Sequence, residues 1–168
     1  MAFFVRVNNV QELHHYIKLP PELTVNHPVF APARILVDGR YLIGYLDYFS
    51  HIGHFIFKIN EQQNVVMSVE NFGFELLLGM DLVEWRWLRS GAEMNCSNAL
   101  VPDPLAKQDD WLYYGRCLMN NRIYPGLIGN NVCHVLTEED VSQHEHKVLQ
   151  ILVHKTAPRR KDDGRTPW

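Results

Sequence analysis

No apolar run in this 168-residue chain is long enough to cross a bilayer. The richest, Phe74 to Met80, falls far short of the roughly 20 residues a helical span takes, so no membrane partner is expected. The N-terminal MAFFVRVNNVQELHHYIK has only Ala2 to Val5 as an apolar stretch before Arg6 interrupts it, which does not make a signal peptide. An excess of positive charge is missing too. Against 16 Lys and Arg stand 19 Asp and Glu, and the basic cluster Arg159 to Lys161 is offset by Asp162 and Asp163. A nucleic-acid binder needs a basic face, so nucleic acid is set aside as a partner. Cysteine is scarce: Cys96, Cys117 and Cys133 are odd in number and form no CxxC pair. Secreted proteins of this size carry even disulfide frameworks, so a reducing, cytoplasmic compartment with free buried thiols is expected. Catalytic signatures are absent as well. There is no G-x-S-x-G elbow, P-loop or dinucleotide fingerprint, and no cofactor is expected. Glu138, Glu139 and Asp140 are neighbours in a polar stretch and read as a solvated face rather than an acid/base pair. The nine histidines, among them His51/His54, His144/His146 and the Cys133-His134 dipeptide, show no metal-site spacing. The chain reads as a non-enzyme.

What is present is a succession of short β-prone runs separated by turn residues, the pattern of an all-β sandwich or barrel. Ala33–Val37 leads through the hairpin signal Asp38-Gly39 into Arg40–Tyr48. Phe55–Ile59, Val65–Val69 and Phe72–Leu78 follow. A second series contains Leu82–Leu88, Trp111–Met119, Ile123–Ile128, Val132–Leu136 and Lys147–His154, with Ala99–Val101 as a short candidate strand. Glu138–His146 is polar and reads as a loop. The one expected helix is Val10–Lys18, with Asn9 as N-cap and Pro20-Pro21 as the stop. The tail Lys155 to Trp168 has too little apolar surface to order itself.

The stretch WLYYGRCLMNNRIYPG, Trp111 to Gly126, has a weaker echo in YLIGYLDYFSHIGHF, Tyr41 to Phe55. Laying the halves side by side sets Tyr41–Tyr45 over Leu112–Arg116, Ile52-Gly53 near Pro125-Gly126, and Phe74–Leu77 near His146–Leu149. A duplicated β-unit points to a binding protein. From Trp87 to Leu149 the second half resembles the DM-nine repeat, a family related to the oyster-type mannose lectins. Trp87, Ser90-Gly91, Ala99-Leu100-Val101, Leu112–Arg116, Pro125-Gly126-Leu127 and Lys147-Val148-Leu149 carry the resemblance. The first half, about Val29 to Leu77, is a degenerate copy that keeps Asp38-Gly39 and Phe74–Leu77, with Tyr45 where the family has Arg. The resemblance implies two intertwined antiparallel β repeats, sandwich-like, about a pseudo-two-fold, often as a homodimer. The expected division is 1–28 with the short helix, 29–80, 81–154 and a disordered 155–168.

The resemblance also implies a carbohydrate ligand, of mannose type, held between the repeats by an Asp ahead of the Leu-Tyr-x-Gly-Arg element and by the Lys of Pro-Gly-Lys. Here the Lys position is Leu127, and the Asp position falls near Ala106 unless a gap brings in Asp103, Asp109 or Asp110. In the first half Asp38 and Lys58 are the matching candidates. Arg116 is either a ligand-binding guanidinium or a structural partner of Asp109, Asp110 or Glu138. Tyr113 joins the candidates, with Trp85, Trp87, Trp111 and Tyr114, as a stacking platform. Aromatics alternating on a strand are otherwise core. Tyr113 and Tyr114 must face opposite ways, whereas Trp85 and Trp87 share a face. The alternative function is an intracellular protein-interaction or scaffold domain that self-associates through its aromatic strands.

Overall fold

The computed structural model describes residues 2–16, 30–60, 63–70, 72–88, 98–107, 112–119, 122–129, 132–136, 141–144 and 148–155. Strand β1 (Phe3–Val7) leads into helix α1 (Val10–Tyr16), and β2 (Phe30–Val37), β3 (Arg40–Asp47), β4 (Gly53–Asn60), β5 (Gln63–Val69) and β6 (Phe74–Leu78) complete the first half. A 3-10 turn, Met80–Leu82, opens the second half. It contains β7 (Val83–Leu88), β8 (Tyr113–Met119), β9 (Arg122–Gly129), β10 (Val132–Leu136), β11 (Val141–His144) and β12 (Val148–His154). The protein is all-β, with one short α-helix near the N-terminus among the described residues, as its succession of short β-prone runs implies.

The strands make two antiparallel six-stranded sheets, ordered β1-β6-β2-β3-β4-β5 and β7-β12-β8-β9-β10-β11. The second order is the first shifted by six strands, so every strand has a topological counterpart. Each sheet draws on one contiguous segment. The halves therefore interlock through side chains and exchange no strands.

Alternation along the strands sends one face of each sheet into a shared inter-sheet core. There Ile43, Tyr45, Ile56 and Leu77 of the first sheet meet Val83, Tyr114, Leu127, Leu136 and Leu152 of the second. The opposite faces carry separate clusters. On the first sheet Val7, Ala33, Leu46, Phe55 and Phe74 pack under Leu13 of α1. On the second, Cys117, Ile128, Cys133, Val135 and Ile151 pack with Ala99. Strand β3 lies against its counterpart β9, and β5 approaches its counterpart β11, as a two-fold relation between the sheets produces.

Local chemistry accounts for the joints. Asp38 and Gly39 both take positive φ, 50° and 79°, which is the twist a two-residue hairpin needs between β2 and β3. Asn9 Oδ1 accepts the Glu12 amide at 2.8 Å and starts α1, while Leu13 anchors the helix to the sheet. At Gly44 the backbones of β3 and β4 approach so closely that a Cβ would lie 1.8 Å from the His54 carbonyl oxygen, which excludes every other residue.

Three features depart from the sequence reading. Phe3–Val7 is a strand at the edge of the first sheet, paired with β6 in the register Phe4↔Leu77. The segment 1–28 thus contributes sheet as well as helix. Val141–His144, inside the stretch read as a loop, pairs with β10. Its polar sequence hides the strand because it is an edge. The overlay of the two halves is also shifted by one strand. Register places Ala33 opposite Gly44 and Gly115 opposite Gly126, so Leu112–Arg116 matches Phe30–Arg34, and Arg40–Asp47 matches Arg122–Gly129. The tail beyond Lys155 and the helix end beyond Tyr16 lie outside the described residues.

Candidate functional site

The corrected overlay brings out a pair of matching constellations on the inter-sheet face. In the first sheet Arg34 stands beside Glu75 on β6, and in the second Arg116 stands beside Gln150 on β12, at the same register. The aromatic facing each guanidinium comes from the matching edge strand. Arg34 lies 4.1 Å from the Phe4 ring centroid, and Arg116 lies 4.6 Å from that of Trp85. Phe4 and Trp85 occupy equivalent places opposite Leu77 and Leu152.

The two constellations differ in how the cation is satisfied. Arg34 is closed. Its Nε meets Glu75 Oε2 at 3.1 Å, its Nη1 donates to the Pro102 carbonyl at 2.6 Å, and Tyr41 covers its other face at 3.9 Å. The loop that supplies Pro102 is tied to the second sheet by Leu100 N to Leu152 O and by His154 N to Asn98 O, so Arg34 cross-links the halves. Arg116 is open. Its Nε donates to Gln150 Oε1, and no acceptor among the described residues meets its Nη1 or Nη2. Burial lowers its pKa, but a guanidinium stays charged throughout the physiological range.

Beyond Gln150, directly across on the edge strand β7, stands Trp87. The row Trp87, Gln150, Arg116, Pro125 crosses four adjacent strands on one face. Trp87 is 61% exposed, Gln150 is buried, and Trp85 packs partly into the inter-sheet core two residues along. The result is a ledge at the rim of that core: an exposed indole, a fixed amide and a half-buried cation. The indole offers an apolar face, and the polar groups offer directed hydrogen bonds to hydroxyls or oxyanions.

Behind the ledge, two tyrosines hold the sheets in position. Tyr114 donates to the Ala33 carbonyl at 2.6 Å, and Tyr45 donates to the Gly115 carbonyl at 2.6 Å with Gly126 O 2.9 Å away. Each hydroxyl thus reaches the residue just before the arginine of the other half. The rings meet edge-on at 5.4 Å. Burial pushes both hydroxyls well above their ordinary pKa, so both remain neutral donors.

The sequence candidates fall in several places. Arg116 is on the ledge, and its described partners are Gln150 and Trp85. Tyr113 points to the opposite face, against the Cys117 cluster, and does not join the ledge. Asp38 sits exposed in its hairpin turn. Asp103 turns its carboxylate back on its own loop, accepting the Leu105 amide at 3.1 Å. Leu127, where the resemblance would lead one to expect Lys, is wholly buried in the inter-sheet core. Asp109, Asp110, Trp111 and Glu138 lie outside the described residues, as does the side chain of Lys58. Trp85 and Trp87 share a face, as the period of two requires. Cys117 and Cys133 are buried thiols outside any disulfide; burial, with Cys117 nearby, pushes the Cys133 thiol up to about 12. Among the described residues no three His, Cys, Asp or Glu side chains gather as a metal site, and no helix is long and apolar enough to cross a membrane. Gln150, Glu75 and Arg34 were absent from the sequence candidates. Their signal was Ala-Arg-Ile-Leu, 33–36, against Gly-Arg-Cys-Leu, 115–118.

Comparison with protein-family models finds none that matches the chain, and comparison with curated proteins finds no match.

Proposed function

We propose that this protein is a non-catalytic recognition module of DM-nine type, built by internal duplication, that takes a carbohydrate on the Trp87–Gln150–Arg116 ledge. One observation carries the reading: a large indole left exposed directly across from a fixed amide and a cation whose terminal donors meet no acceptor among the described residues. Sugars present apolar C–H faces and equatorial hydroxyls, and that combination of groups answers both. The ledge lies on the second sheet, at the rim of the inter-sheet core into which Trp85 packs. Of the polar residues and positions expected from the resemblance, Leu127 is core and Asp38 is an exposed turn residue, while Asp109, Asp110 and the Lys58 side chain lie outside the described residues. The matched strand order and the matched Arg34/Arg116 registers support duplication. Titratable groups buried by the fold, Tyr45, Tyr114 and Cys133, are held neutral inside packed clusters, which favours binding over catalysis. The buried thiols of Cys117 and Cys133 accord with a cytoplasmic setting.

The test is a glycan array with free-mannose competition, run on the protein and on Trp87→Ala. Glycan binding that the substitution reduces about tenfold or more supports the reading, since ring stacking on an indole is of that order. A second reading, protein interaction or self-association, has its own observation: among the described residues β7 is the last strand of its sheet, and it carries the exposed Trp87. Absence of glycan binding together with a Trp87-dependent dimer in sedimentation favours that alternative.

A further inference from the structure

The first half of the molecule provides an internal reference for the second. At the same register, with an aromatic partner from the matching strand, Arg34 is neutralised by Glu75 while Arg116 is paired with the uncharged Gln150. Arg34 also donates to Pro102, and its faces are covered by Phe4 and Tyr41. Arg116 keeps two terminal nitrogens without acceptors among the described residues, and Ile123 stands where Tyr41 would cover it. The described positions around it on that face are Trp87, Gln150 and Pro125 in one row and Trp85, Leu152, Tyr114 and Leu127 in the next, none of them acidic. A half-buried guanidinium that meets no counter-charge among the described residues is suited to an anionic ligand, which would offset its desolvation.

We infer that the ledge selects a sugar bearing an anionic group, a ring carboxylate or a sulfate ester, with the anion on Arg116 and the ring stacked on Trp87. This rests on the carbohydrate reading above and names its ligand class. Gln150 has two roles in it. Its carbonyl oxygen accepts from Nε and so fixes the guanidinium, and as a neutral group it leaves the positive charge for the ligand. Glu75 at the counterpart position shows that the same sheet geometry holds a carboxylate there, so Gln150→Glu would close the second site as the first is closed.

The experiment measures binding of three probe sets to the intact protein by calorimetry: neutral mannose and galactose oligosaccharides, uronate oligosaccharides, and sulfated oligosaccharides. Each is measured at low and high salt, and again with Gln150→Glu and Arg116→Gln. The expected result is that uronate or sulfated probes bind at least about tenfold tighter than neutral ones, that salt weakens them selectively, and that both substitutions abolish the preference. Circular dichroism of the Gln150→Glu protein establishes that it is folded. Preference for uronate over sulfate, or the reverse, identifies which oxyanion the site takes. Equal binding of neutral and anionic probes overturns the inference and leaves the carbohydrate reading standing. So does an anionic preference that Gln150→Glu leaves intact, because the charge at Arg116 is then not its source. No binding to any of the three sets overturns both.

Discussion

Tyr45 and Tyr114 show how much two hydroxyls can decide. Both rings are fully buried, and each oxygen reaches a main-chain carbonyl of the other sheet. Tyr45→Phe keeps the ring and removes the donor, leaving Gly115 O and Gly126 O without it in a dry environment. The expected cost is about 1–3 kcal/mol, read from the urea midpoint at unchanged m-value. Gly44 acts at the same scale by what it lacks. Gly44→Ala puts a methyl into the His54 carbonyl, and since both atoms belong to paired backbones neither moves aside. Loss of soluble, folded protein is the expected outcome, assayed by expression and circular dichroism. Glycine at 44 was recognisable as a site of close backbone approach, because a residue without a side chain forfeits packing inside an aromatic strand unless a second backbone comes near. The partner of the Tyr45 hydroxyl was not, because it belongs to a residue 70 positions away.

At the scale of elements, the ladders β1-β6-β2 and β7-β12-β8 are the same device put to two uses. In the first, Arg34 is the clasp between sheets, with its side chain 15% exposed and that of Glu75 23%. Arg34→Met strands Glu75 and frees the Pro102 carbonyl. The expected loss is about 2 kcal/mol, at the low end for unpairing a buried charge because Glu75 still reaches solvent. Arg116→Met removes a bond to a neutral amide and the cation–π contact with Trp85, and should cost about 1 kcal/mol, less than the Arg34 variant. Chemical denaturation of the two variants side by side checks the contrast, and equal losses would remove the distinction between a closed and an open site. Strand existence was largely legible, since β3, β4, β5, β9 and β10 alternate or carry β-branched runs. The edges β1 and β11 were not. One is interrupted by Arg6 and the other is Val-Ser-Gln-His, and an edge strand is held by its ladder rather than by its own apolar face.

For the whole molecule, His134 is expected to contribute an acid limb to stability. It is partly buried in the second sheet, at the counterpart of His54, and its Nδ1 has no hydrogen-bond partner among the described residues. His54 instead shares its Nδ1 with Ser68 at 3.2 Å. Burial holds His134 below the ordinary pKa of 6.5. The unfolded chain therefore takes up the proton first, and the His134 contribution to ΔG of unfolding should be fully present above about pH 6.5 and be lost as pH drops below it. His134→Phe should flatten that limb of a stability-against-pH curve measured by denaturant titration; an unchanged slope would assign it to other groups.

The sequence by itself determined that the chain is all-β, where the hairpin at Asp38-Gly39 turns, which aromatics share a face, and that Trp85, Trp87 and Arg116 are candidate ligand groups. Those properties are local: they depend on a two-residue period, on φ at a turn, and on composition. Only the tertiary structure decided which strands correspond, since matching the halves by their residues alone sets Arg116 on Tyr45, one strand away from its true counterpart Arg34. It also decided that Leu127 and Tyr114 are core, that Tyr113 turns away, and that Gln150 stands between Trp87 and Arg116. Adjacency across a sheet joins residues 34 to 63 positions apart in the row from Trp87 to Arg116, and no period along the chain records which strands a ladder will bring together.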